Sequence, residues 1–324
     1  MLGSKREIRM GLAAMVAACS LAMAPQANAQ QYLRIGTGGT GGTYFPIGTL
    51  IAGIVSQPQK IVATAQPSNG SLGNVIAVTS GALETGFSQA DVATWAHSGT
   101  GIFEGRGSHP GLRLIANLYP ESLHVVVRKD SGIRTVADLK GKRVALDEPG
   151  SGTLIGARQV LAQYGLKEAD LQPEYIKPNQ AGNKLIAGSL DAFFFLGGTP
   201  AAAIAELAAS GLGIALLPID GPHAERLRAS SAFFHADTIP AETYKGVAGV
   251  QTLAVGAQWV TSEKVNADLV YQVTKTLYSD AAQKALASGH PKGKFITLDN
   301  AVKGAGIPFH SGAERFYREV GMLK

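Results

Sequence analysis

The segment Gly36-Thr37-Gly38-Gly39-Thr40-Gly41-Gly42-Thr43 holds the residues best suited to bind a ligand. Five glycines let main-chain N–H groups approach a ligand closely, and the hydroxyls of Thr40 and Thr43 can donate hydrogen bonds. The segment follows an expected strand, Tyr32 to Ile35, and opens a helix with Pro46 in its first turn, so the positive end of a helix faces whatever sits there. That chemistry suits a carboxylate or a phosphate. Gly36, Gly38 and Gly41 also fit a dinucleotide fingerprint, but that fingerprint requires an acidic residue about 20 positions on. Ser56 to Val62 contains none.

A second segment repeats the device. Strand Arg143 to Leu146 ends in Asp147-Glu148-Pro149-Gly150-Ser151-Gly152-Thr153 and a helix begins, with Ser151 at the N-cap position. Alone it reads as helix capping; two such segments in different lobes can face each other across a cleft. Gly198 and Thr199, in Gly197-Gly198-Thr199-Pro200, end another strand and belong on the crevice rim. Tyr119 and Glu121 precede an apolar strand, where a side chain could reach a ligand; the competing reading of Glu121 is an exposed turn carboxylate.

No enzyme chemistry is visible. The seven histidines are scattered, without His-Glu-x-x-His spacing or paired metal ligands, and there is neither a Gly-x-Ser-x-Gly elbow nor a Walker lysine. The expectation is a non-enzyme with no cofactor and no metal. Lys and Arg occur singly or in pairs, which argues against nucleic acid as a partner. The formal charge of +5 falls to near +3 without the first 29 residues.

Those 29 residues read as a secretory signal peptide: Lys5, Arg6 and Arg9, an apolar run from Met10 to Ala24, then Ala27-Asn28-Ala29. Cleavage after Ala29 leaves about 295 residues without cysteine, destined for the periplasm. Val16-Ala17-Ala18-Cys19 offers the alternative of a lipoprotein anchor.

The elements that must position these segments come from periodicity. Short β-rich runs alternate with helical stretches, which implies βαβ units and mostly parallel sheet. Two longer apolar stretches, Leu123 to Val127 and about Val250 to Val260, read as crossovers between lobes. The expected fold class is α/β: a two-lobed periplasmic-binding-protein fold, type II-like, with two Rossmann-like lobes joined by two crossover strands. Lobe 1 would span 30–122 plus about 250–324, and lobe 2 about 123–249. The stretch from Asp220 to Gly249 is the least regular and reads as loop-rich.

Five runs carry a family resemblance: Ile35 to Tyr44, Phe87-Ser88-Gln89-Ala90-Asp91, Asp138 to Val144, Pro149 to Thr153, and His310 to Tyr317. Together they resemble the TAXI family, the extracytoplasmic solute receptors of TRAP transporters. The resemblance implies a monomeric receptor that captures a small anionic solute, an acidic amino acid or dicarboxylate such as glutamate or 2-oxoglutarate. The partner would be a TRAP membrane permease with fused small and large subunits. It also implies that Gly42, Thr43, Tyr44, Ser88, Gln89, Ser151, Gly152 and Thr153 lie in the cleft, with Asn69 beside them. The alternatives are a binding protein of an ABC importer, whose sulfonate and thiamine-precursor receptors share the Asp138-Leu139-Lys140-Gly141 element, and a receptor that feeds a sensor kinase.

Overall fold

The structure, a computed structural model, describes residues 30–324. The signal segment and Cys19 lie outside the described residues, so those expectations are not addressed by the fold. No helix among the described residues is long and apolar enough to cross a membrane.

The chain begins β1 (Gln31–Gly36), α1 (Tyr44–Val55), β2 (Ile61–Gln66), α2 (Ser71–Thr79), β3 (Thr85–Gln89) and α3 (Ala90–Ser98). β1 pairs parallel with β2 and with β3, as the alternation implied. Next comes β4 (Leu112–Arg128), a single strand of 17 residues where two shorter strands were expected. The second series is β5 (Arg143–Ala145), α4 (Gly152–Gln163), β6 (Gln172–Glu174), α5 (Pro178–Ile186), β7 (Ala192–Gly197), α6 (Ala202–Ala209) and β8 (Ile214–Leu216). The remaining elements are α7 (Gly221–Ser230), β9 (His235–Ile239), β10 (Val250–Ser262), α8 (Ala267–Leu277), α9 (Asp280–Gly289), α10 (Leu298–Ala301) and α11 (Ser311–Glu319). The loop-rich expectation for 220–249 is therefore corrected. α7 exposes small and charged residues and buries only Ala224 and Leu227, so it carries no strong apolar periodicity.

The strand order is β2-β1-β3-β10-β4-β7-β5-β6, with β8 against β4 and β9 against β10. β4 and β10 run antiparallel at the centre and serve both halves. The first part of β4 pairs with β10, whereas Ser122 to Val127 also pair with β7. Where β4 passes from one half to the other, Pro120 stands opposite Gly256 and the register slips between Gly256 and Gln258. A proline lacks the N–H of a regular ladder and is accommodated at such a bulge.

Alternation then explains the long apolar runs. In the second lobe Val125, Val127 and Phe194 enter one core, while Val126, Phe193 and Phe195 enter another on the opposite face. The first lobe packs Leu33, Ile35 and Ile47 with Trp259 and with Leu269, Val273 and Leu277 of α8. Val265 precedes the helix and packs on that core.

His124 of β4 sits among aromatics and ties the second lobe to the cleft rim. The main-chain N–H of Ala201 donates to Tyr244 Oη (3.1 Å), so that hydroxyl donates in turn to His124 Nε2 (2.9 Å). The remaining ring proton is then on Nδ1, directed at Ser122 O (2.8 Å). Burial lowers the His124 pKa to about 4, which keeps the ring neutral.

Candidate functional site

Both lobes close on one cleft, at the carboxyl ends of their parallel strands. Five helices start there: α1 behind Thr43, α2 behind Gly70, α3 behind Gln89, α4 behind Ser151 and α5 behind Lys177. Between them lies a cavity of about 50 Å³. Each helix N-terminus contributes partial positive charge to the cavity.

The lobes touch around it. Asn69 Nδ2 donates to Pro149 O (3.2 Å), Gly73 N to Gly150 O (3.1 Å) and Ala203 N to Gly41 O (3.0 Å). Glycine lets these surfaces meet closely. A Cβ on Gly41 would lie 1.9 Å from Asn179 Oδ1, and one on Gly152 would lie 2.2 Å from Gln89 Oε1.

Eight of the expected site residues line the cavity: Gly42, Thr43, Tyr44 and Asn69 from one side, with Gln89, then Ser151, Gly152 and Thr153 from the other. Four do not. Ser88 precedes Gln89 on β3, so it faces the opposite side of the sheet, where its hydroxyl donates to Gln89 O (3.1 Å). Tyr119 is buried beside Gly198, behind the cavity wall, with no partner for its hydroxyl among the described residues. Gly198 and Thr199 follow the end of β7 and lie just beyond the lining, which stops at Gly197.

Of the hydroxyls expected to donate to a ligand, that of Thr43 already donates within the protein, whereas that of Ser151 accepts and keeps its proton. Thr43 Oγ1 donates across the cleft to Gly198 O, so it braces the two lobes. Ser151 Oγ accepts from Leu154 N (3.1 Å), the capping role it shares with many serines. Thr153 Oγ1 accepts from Leu196 N (3.1 Å) and anchors α4 to β7. Ser151→Ala is therefore expected to cost about 1 kcal/mol of stability through the lost cap. Urea unfolding measures this; a variant as stable as the parent would remove the cap from the account.

Of the charged lining residues, sequence reasoning weighed Glu121 and passed over Asp147 and Lys177. Glu121 is buried within β4, which corrects its reading as a turn carboxylate. Tyr44 Oη donates to Glu121 Oε2 (3.0 Å), and Tyr44 Oη also lies 3.4 Å from Ser71 Oγ. Burial raises the Glu121 carboxyl to about 8, against the opposing effects of the Tyr44 hydrogen bond and Lys292. Asp147 follows β5, and desolvation raises it to about 6. Lys177, at the start of α5, is 3.5 Å from Glu148. The available signal was position: each follows a strand end or the bulge, where cleft residues are found.

The architecture defines a class: an α/β periplasmic-binding-protein fold with its site between two lobes. The chain belongs to the NMT1-like family, whose model matches residues 35–321. A putative aliphatic sulfonates-binding protein of Escherichia coli (strain K12) is 39% identical over 74 residues. That stretch covers 23% of this chain and 23% of the relative's length. Among solved structures, PhnD1 of Prochlorococcus marinus in complex with methylphosphonate superposes with a TM-score of 0.55 at 11% identity. It covers 90% of this chain and 99% of that one. A protein from Bordetella bronchiseptica RB50 gives 0.54 at 17% identity, covering 91% and 83%. Both show the shared fold.

These findings overturn the TAXI resemblance, and with it the TRAP permease as partner and glutamate or 2-oxoglutarate as ligand. The runs behind that resemblance serve the scaffold. Asp138 closes a capping box with Thr135, and His310 Nδ1 caps α11 by accepting from Gly312 N (3.1 Å). The Gly/Thr and Gly/Ser segments start helices. Such devices belong to the fold and carry no information about the membrane partner.

Proposed function

We propose that this protein is an exported solute receptor that captures a small oxyanion of the sulfonate or phosphonate class for an ATP-driven ABC importer. The observation that carries the reading is the convergence of five helix N-termini, from both lobes, on one cavity. A tetrahedral oxyanion presents several acceptor oxygens in different directions, which suits donors arriving from several helices. The 74-residue similarity to a sulfonates-binding protein supports the same class.

A thermal-shift and calorimetric panel of alkanesulfonates, alkylphosphonates, neutral sugars and simple amines tests it. A true ligand at 100 times its Kd is expected to stabilise the protein by about 2.7 kcal/mol. A sugar or an amine that gives such a shift while every sulfonate and phosphonate is silent would overturn the reading.

A further inference from the structure

Five helix N-termini account for an anion, yet the same cavity carries acceptors that an anion cannot use. Glu121 and Asp147 both line it. Gln89 is 2% exposed, lines it as well, and has no hydrogen-bond partner for Oε1 among the described residues. The three are contiguous: Gln89 neighbours Glu121, its Oε1 lies against Gly152, and the adjoining Thr153 hydroxyl reaches Asp147. The lysine that lines the cavity, Lys177, is 3.5 Å from Glu148.

We propose that the ligand is a zwitterion, with its oxyanion on the helix N-termini and an ammonium group on Glu121, Asp147 and Gln89 Oε1. An ammonium has three donors and no acceptor, and it meets three acceptors here. An ammonium beside them would favour the ionised form of both carboxyl groups, the form that burial alone disfavours. Asp147 keeps its place at a φ of 70°, a conformation uncommon for a residue with a side chain and typical of positions held for a purpose. This assignment of the second ligand group rests on the oxyanion reading above for the first.

Calorimetry with four probes separates the two claims: 2-aminoethanesulfonate, ethanesulfonate, 3-aminopropanoate and propanoate. The amine-bearing member of a pair is expected to bind roughly 30-fold more tightly than its partner, the worth of hydrogen bonds between charged groups. In the double variant Glu121→Gln, Asp147→Asn, that preference is expected to fall to roughly 3-fold or less. Equal binding within the sulfonate pair would overturn the ammonium assignment and leave the oxyanion reading in place. Binding of 3-aminopropanoate over propanoate with both sulfonates silent would support the ammonium assignment and sink the sulfonate class. Silence from all four would overturn the assignment itself.

Discussion

Gly152→Val is expected to weaken ligand binding by at least about 100-fold, roughly 2.7 kcal/mol, while leaving the free protein folded. Gly152 opens α4 on one lobe and meets Gln89 of the other. Its hypothetical Cβ already overlaps the Gln89 amide, with distances of 2.2 to 2.7 Å to three of its atoms. Gln89 is buried between the lobes and borders the cavity, so the branched side chain is expected either to hold the lobes apart or to push the Gln89 amide into the ligand space. With the lobes separated no such conflict arises, and a first-turn valine is tolerated by the helix itself. Calorimetry with the wild-type ligand, beside thermal unfolding of the free protein, reads both halves. Wild-type affinity in this variant would mean that ligand capture does not use the closed arrangement.

Glu121→Gln is expected to stabilise the protein in mild alkali by on the order of 4 kcal/mol and to flatten its pH dependence. The carboxyl rises from an ordinary value of 4.5 to about 8 on folding, chiefly through burial. Its contribution is thus fully present below pH 4.5 and is lost as pH rises toward 8, because the unfolded chain has released a proton that the folded chain retains. The groups that face it are Tyr44 of α1, Gln89 and Asp91 at the start of α3, Tyr119 on its own strand, and Lys292. Asp91 and Asp147 add the same trend, but both are raised only to about 6, so the span from pH 7 to 9 isolates Glu121. His124 acts in the opposite direction, costing stability as pH falls from 6.5 toward 4. Glutamine keeps an acceptor for Tyr44 Oη and carries no charge. Denaturant midpoints followed from pH 7 to 9 check this; parallel curves for parent and variant would show that Glu121 does not titrate as its burial implies.

The same residue marks the limit of what the sequence makes legible. Alternation of strands and helices was plain, because strands buried on both faces read as unbroken apolar runs such as Phe193 to Leu196. The helix starts at Thr43 and Ser151 were equally plain, since Gly, Ser and Thr clusters have local causes. Glu121 was obscured by Pro120, which locally signals a turn; only the slipped register against β10 lets a proline stay in the strand. Ser88 and Gln89 look equivalent in the chain, and the pleat alone decides that one faces the cleft and its neighbour does not. β8 has three residues and α7 buries only Ala224 and Leu227, too little pattern to detect either. Which membrane partner the chain serves had no local cause at all, and shared scaffold runs pointed the wrong way.

β4 and β10 pass unbroken between the lobes, paired with each other along most of their length. Opening the cleft therefore means flexing a two-strand leaf spring, softest at the missing amide of Pro120, and not swinging on a slack tether. The force that resists or restores closure is written into that ribbon, so residues around Gly256 and Gln258, outside the cavity lining, set how readily the receptor lets go.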